Sequence, residues 1–315
     1  MNDSDTGFEV LEPGPLTLVQ DLGRFGYQHL GLSPGGAADE HAFLWGNRLL
    51  GNHPKCPALE VTLGGLVLRA HKTTQIALTG ADLQARLNGE PLSHWHSHRI
   101  EAGDRLELGY PASGVRGYLA VMGGFQFPPV LGSVATVMRE KMGGPDGQGR
   151  PVEAGDCLPC PTPTARQYDR RLMGVLSRFI PDYRQPLTLG LVAGQQHDHF
   201  RGRDLARFHN SDYRLSNRSD RMGIRLEGEP LKPEPAGILS EGIPFGAVQV
   251  PPDGQPIVLL KDRQTIGGYP KLGTLCPLHA FALSQRQPQS TVRFRPMTLD
   301  EAQGRLRRFY RFFGV

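Results

Sequence analysis

Turn-forming residues interrupt this chain too often for long helices. Its 40 glycines and 27 prolines are spread between apolar runs along 315 residues rather than gathered into repeats. Both residues disfavour helix interiors, proline by removing an N–H and clashing with the preceding turn, glycine by the backbone entropy it loses. Short strands joined by tight turns fit between them. The chain therefore reads as mainly β, and its length is comfortable for two domains.

Strand-like runs in the first half are FEVLEP (8–13), LTLVQD (16–21), ALEVTLGGLVLRA (58–70), TQIALTG (74–80), LQARLNGEPL (83–92), HRIEAGDRLELG (98–109) and RGYLAVMGGF (116–125). NGE (88–90) and AGD (102–104) read as glycine-containing hairpin connections. DEHAFLWGNRLLGN (39–52) reads as a helix, with Asp39 as N-cap and Gly51 as C-cap. A Gly/Pro stretch at 143–164 closes the half, and QYDRRLMGVLSRF (167–179) is expected to be a bridging helix. Further runs follow at 187–194, 213–217, 223–228, 246–252, 255–260 and 291–296. The last helix opens on a capping box, Thr298 to Glu301, and aligns Leu299, Ala302, Leu306, Phe309 and Phe313. The expected organisation is two β-barrel or sandwich-like domains, 7–165 and 166–315, with a few covering helices. Periodicity alone does not choose between barrel and sandwich.

Several function classes are disfavoured. A net charge of +4 is too weak to argue for nucleic acid. No apolar run reaches the length of a membrane helix, and the polar, acidic N-terminus lacks the features of a secretory signal, so a cytoplasmic location is expected. Four cysteines in a chain this long make no disulfide framework, and CLPC (157–160) lacks the second pair that a zinc site needs. HWHSH (94–98) and QQHDHF (195–200) read as solvent-facing histidines, so no metal is expected. There is no Walker loop.

Three constellations hold more polar chemistry than folding needs. KDRQTIGGYPK (261–271) follows the apolar run QPIVLL, where a plain turn needs only two to five residues. Asp262 can act as base or orienter, and Gln264 and Thr265 offer neutral donors and acceptors. Gly267 and Gly268 allow close backbone approach, Tyr269 adjoins them, and Lys271 brings a point charge. In SNRSDRMGIRLEG (216–228), Asp220 and Arg221 suit recognition of a carboxylate or phosphate, or alternatively a turn lock. In QDLGRFGYQHLGLSPGGAAD (20–39), Gln20, Asp21 and Arg24 open a glycine-rich loop that reads either as an anion cradle or as an internal clamp in which Asp21 and Arg24 orient each other.

In order, VQDLGRFGYQHLGLSPGGAAD, GNRLLGN, ALEVTLGG, IALTGAD, GYLAVMGGF, LGSVAT, GQQHDHF, SDRMGIRL and SEGIPFGAVQVPPDGQPIVLLKDRQTIGGYPK resemble the biotin-dependent carboxyltransferase / KipA family. That family, also called the allophanate hydrolase subunit 2 family, includes the C subunit of the bacterial ATP-dependent 5-oxoprolinase and the carboxyltransferase module of urea carboxylase. The resemblance implies two cyclophilin-like β-barrel domains. It implies a complex with a KipI-like B component and an LamB/YcsF-like A component that opens 5-oxo-L-proline to L-glutamate with ATP. Two other readings stand beside it: a biotin-dependent transferase acting on urea or a similar amide, or a regulatory partner of a KipI-like protein. Biotin is expected only under the transferase reading. Two departures from the family pattern are His279, where relatives carry Asp, and GSVAT (132–136), which keeps Thr136 but lacks a neighbouring Ser.

Overall fold

The computed structural model describes residues 6–168 and 170–315. The described residues form two compact units, one of residues up to 24 and from 35 to 183, the other of 25–34 and 184–315.

The first unit carries β1 (Thr6–Pro13), β2 (Leu16–Gln20), β3 (Ala58–Thr62), β4 (Leu66–Ala70), β5 (Thr74–Asp82), β6 (Arg86–Leu87), β7 (Glu90–Pro91), β8 (His96–Ile100), β9 (Arg105–Leu108), β10 (Ser113–Val121) and β11 (Cys157–Pro159). They form a six-stranded sheet, β11-β1-β4-β9-β6-β7, and a five-stranded sheet, β2-β3-β10-β5-β8. Phe8, Val10, Leu66 and Leu106 from the first sheet share one core with Val19, Leu59, Ile76 and Leu119 from the second. Helix α1 (Glu40–Leu50) covers the other face of the five-stranded sheet, where Thr79 Oγ1 donates to the Ala42 carbonyl at 2.7 Å. With both faces covered, β5 is buried along nearly its whole length rather than alternating. Asp39 caps α1 by accepting from the Ala42 N–H, and Gly51 ends it in the left-handed region.

Three first-half expectations change. The run 58–70 is two strands, parted at Leu63–Gly65. AGD is not a hairpin: β8 pairs with β5 in one sheet, while β9 pairs with β4 and β6 in the other. Turn residues report that a chain reverses, not which neighbour it then pairs with. Asn88 and Gly89, with φ of 52° and 86°, do make the two-residue hairpin turn between β6 and β7. Of the helix expected at 167–179, the described residues hold only α2 (Ala165–Tyr168) and a 3-10 turn at Ser177–Phe179, and Asp169 lies outside the described residues. Beyond it the backbone pairs with the exposed edge at β8: the Ser97 N–H donates to the Met173 carbonyl and the Val175 N–H to the Trp95 carbonyl, both at 2.9 Å. An open sheet edge outcompetes a helix that contains a glycine.

The second unit contains β12 (Leu187–Ala193), β13 (Tyr213–Leu215), β14 (Gly223–Glu227), β15 (Glu241–Gly242), β16 (Ala247–Gln249), β17 (Ile257–Leu259), β18 (Ile266–Gly267), β19 (Lys271–Leu275) and β20 (Thr291–Pro296). Seven of them close a barrel in the order β12-β19-β16-β17-β14-β13-β20, and β15 and β18 form a separate two-stranded ladder. Closure leaves no free edge in the seven-stranded sheet. Gly273 permits the approach of β19 to β12, since a Cβ there would lie 2.1 Å from the Val192 carbonyl oxygen. The core includes Leu189, Leu191, Val248, Val258 and Leu272, with Phe208 from α3 (Gly202–Asn210) stacked 4.4 Å from Phe294. Helices α4 (Pro277–Leu283) and α5 (Leu299–Phe313) complete the unit. Thr298 caps α5 through the Glu301 N–H at 3.2 Å, while the Glu301 carboxylate accepts from Arg295 and Arg305. Leu299 is exposed, so the buried face of α5 is held by Ala302 and Phe313.

Candidate functional site

The stretch 261–271 is partly strand: it turns after β17, supplies β18, and enters β19 at Lys271. Its first three residues face inward and brace the turn. Asp262 accepts two hydrogen bonds from Arg221, Nε to Oδ2 at 2.8 Å and Nη2 to Oδ1 at 3.0 Å, with both side chains about nine-tenths buried. Arg263 donates to the Ile243 and Leu260 carbonyls, and burial pushes its guanidinium down to about 10. The Lys261 ammonium lies 4.9 Å from the Phe245 ring centroid. The Asp220 carboxylate accepts from the Met222 and Gly223 N–H groups through Oδ1 and braces the turn before β14.

A second cluster gathers around Lys271. Its ammonium pairs with Glu241 on β15, and Gln196 donates to the same carboxylate oxygen at 2.7 Å. These bonds, that from Lys271 foremost, hold the Glu241 carboxyl below its ordinary range. Gln249 on β16 stands opposite Lys271 in the ladder, and Gly267 stands opposite Glu241. A Cβ at Gly267 would lie 3.0 Å from Gln249 Nε2 and 2.6 Å from Ile243 Cδ1, so only glycine fits the close packing there. Gln264, Thr265 and Gly268 are half-buried and Tyr269 is exposed. The Thr265 and Gly268 carbonyls accept from the Ile243 and Ile238 N–H groups, which ties the 238–243 segment to the loop.

Of the sequence-selected residues, the structure brings Lys271 and Gly267 into this cluster. It brings Asp262 and Arg221 into the neighbouring ion pair. Gln196, Glu241 and Gln249 were missed. They lie in GQQHDHF and SEGIPFGAVQV, where two acids and three glutamines stand beside strand-like runs.

Gln20, Asp21 and Arg24 do a different job in the first unit. Gln20 Nε2 donates to the Thr136 carbonyl, Asp21 accepts from Ser133 Oγ and the Val134 N–H, and Arg24 donates to the Val130, Ser133 and Ala135 carbonyls. All three brace the 130–136 segment. The histidines of HWHSH are not uniformly solvent-facing. His94 bonds to the Gly80 carbonyl and His98 to that of Ser93; burial lowers both pKa values, and only His96 is exposed. Among the described residues, no group of three or more His, Cys, Asp or Glu side chains is placed to hold a metal. The four thiols are free, and burial pushes that of Cys160 up to about 11. No helix of the described residues is long and apolar enough to cross a membrane.

Residues 30–296, most of the chain, match the family described as carboxyltransferase domain, subdomain A and B. The chain belongs to this family. Within the carboxyltransferase-domain family it is 36% identical to the 5-oxoprolinase C subunit of Haemophilus influenzae over 302 residues, covering 95% of this chain and 94% of that one. It is 37% identical to the 5-oxoprolinase C subunit of Escherichia coli, covering 93% and 92%. The crystal structure of the Kluyveromyces lactis urea carboxylase superposes with a TM-score of 0.87 at 28% identity, over 95% of this chain. This chain spans only 28% of that protein. Its family likeness thus extends end to end in the bacterial relatives and is confined to one part of the urea enzyme.

Proposed function

We propose that this chain is the C subunit of a 5-oxoprolinase, one component of a cytoplasmic complex that opens 5-oxo-L-proline to L-glutamate with ATP hydrolysis. Its partners in this reading are a KipI-like B component and an LamB/YcsF-like A component. The observation that carries the reading is the match to two bacterial 5-oxoprolinase C subunits, which covers nearly the whole of both chains. A lactam carbonyl is a poor electrophile, and opening it requires donors aimed at the charge that develops on its oxygen. The Gln249 amide, buried opposite Lys271 in the ladder, is such a donor in the second unit. The cations of the loop do not fit a triphosphate, because Lys271 and Arg221 each face a carboxylate. The nucleotide is therefore assigned to a partner component. The pair of cyclophilin-like barrels is likewise part of this reading, supported by the closed barrel of the second unit.

The test is ATP-dependent glutamate release from 5-oxo-L-proline by this chain mixed with both partner components, each of the three omitted in turn. Release that disappears when this chain is left out supports the reading; full release without it sinks it. A second reading, a carboxyltransferase acting on urea or a similar amide, is favoured by the superposition on urea carboxylase. It predicts carboxyl transfer from carboxybiotin in place of glutamate release.

A further inference from the structure

The segment that follows α2 lies along β8 and ends the five-stranded sheet of the first unit. Gly174 stands opposite His96 in an antiparallel bridge, and β8 takes up the Met173 carbonyl and the Val175 N–H on either side of it. The N–H and C=O of Gly174 therefore point away from the sheet, and neither has a hydrogen-bond partner among the described residues. The run around it is apolar and exposed: Leu172 is 41% exposed, Met173 46% and Leu176 60%. Leu176 is extended, at φ −62° and ψ 138°, and in an extended run Leu172, Gly174 and Leu176 share one face. An open edge with exposed aliphatic side chains is a template for a further strand.

The flanking arginines decide which strand fits. Exposed Arg170 and Arg171 precede the apolar run, exposed Arg178 follows it, and Arg99 is exposed on β8 nearby. Arg171 and Arg178 have no carboxylate partner among the described residues; Arg178 lies over the Phe179 ring. Two copies of this chain paired antiparallel about Gly174 would bring Arg170 and Arg171 of each toward Arg178 of the other. Parallel pairing in register would set each arginine on its own counterpart. Like charges across a strand pair are destabilising. A strand with carboxylates at both ends meets the same arginines as ion pairs.

We propose that residues 172–176 are a docking edge for an extended segment of another protein, one with alternating aliphatic side chains and carboxylates at both ends. The Gly174 N–H and C=O hold its backbone, Leu172 and Leu176 pack on its apolar side chains, and Arg171 and Arg178 take its carboxylates. None of the residues around Lys271 takes part, so this edge is independent of the function proposed above.

The experiment is fluorescence anisotropy of the full-length chain with a short labelled peptide that alternates valine and threonine between paired glutamates. One counterpart carries lysine in place of glutamate, and another carries a methyl group on every backbone nitrogen. The glutamate peptide should bind at least about tenfold more tightly than either, since lysine brings repulsion and methylation removes the ladder bonds. Arg171→Glu/Arg178→Glu should reverse the preference, taking the lysine peptide at least about tenfold more tightly than the glutamate one. That reversal also shows that the variant is folded. Leu176→Ser, at an exposed position, should weaken the glutamate peptide without lowering the melting temperature. No binding of the glutamate peptide, equal binding of either counterpart, or binding unmoved by all of these variants overturns the proposal. Sedimentation that shows this chain self-associating, with the association lost in Leu176→Glu, overturns it in favour of a second copy at the edge.

Discussion

Replacing Asp262 with alanine leaves the Arg221 guanidinium about nine-tenths buried without the carboxylate that takes two of its donors. Removing one member of a buried ion pair costs about 3–5 kcal/mol, most of it the penalty for the charge left behind. For a unit of this size each kcal/mol lowers the melting temperature by about 2–4 °C, so the expected drop is about 6–20 °C. Scanning calorimetry measures it. Trp45 and Trp95 both lie in the first unit, so tryptophan fluorescence separates that unit's melting from the transition of the second. The double variant Arg221→Met/Asp262→Leu removes both charges and should melt above Asp262→Ala. A drop below about 2 °C for Asp262→Ala, or a double variant less stable than the single one, would refute this account of the loop. Loss of activity in Asp262→Ala is thus expected to come through the loop's stability, which makes Asp262 a positioning residue.

Two further predictions concern pH. The neutral His279 ring accepts the Gly190 N–H at Nδ1, 2.7 Å away, and burial, with Arg305 and Arg295 nearby, lowers its pKa from 6.5. The unfolded chain then takes up the proton first, so this contribution is complete above pH 6.5 and is lost as pH falls toward the folded value. Urea midpoints measured through that range should decline in wild type and decline less in His279→Asn; parallel curves would contradict this. Glu241 has the acidic counterpart, a carboxyl held below 4.5 chiefly by Lys271. Its pairing is complete above pH 4.5 and lost as pH falls through the folded value. Carboxyl-carbon NMR should show the Glu241 titration moving upward in Lys271→Met, and an unmoved titration would show that the contact does not form in solution.

Local signals were legible wherever chemistry is local. Asp39, Gly51 and Thr298 cap helices as their residue types require, and Asn88-Gly89 turns the hairpin that its left-handed backbone favours. Pairing was not legible. AGD looked like a hairpin because alternation on both sides is the same whether the next strand stays in the sheet or changes sheets. The helix expected at 167–179 gave way to an edge that no local window reveals. At the site, Lys271 and Gly267 stood out in a dense motif. Gln196, Glu241 and Gln249 come from two other stretches of the chain and approach Lys271 only once the second unit has folded. Asp220 shows the converse, a residue prominent in sequence whose carboxylate is spent on its own turn.

The chain enters the second unit twice. Residues 25–34 belong to it although the residues on either side, up to 24 and from 35 onward, belong to the first. Ser33, completely buried, donates to the Arg263 carbonyl at 2.7 Å, inside the loop that carries Asp262. No single cut therefore yields two whole halves. A fragment from 184 onward lacks the hydroxyl that pins its own functional loop, and a fragment ending at 183 carries ten residues that fold with something it no longer has. For protein engineering and gene fusion alike, the indivisible piece is the entire chain, and a split version would have to return residues 25–34 as a separate peptide.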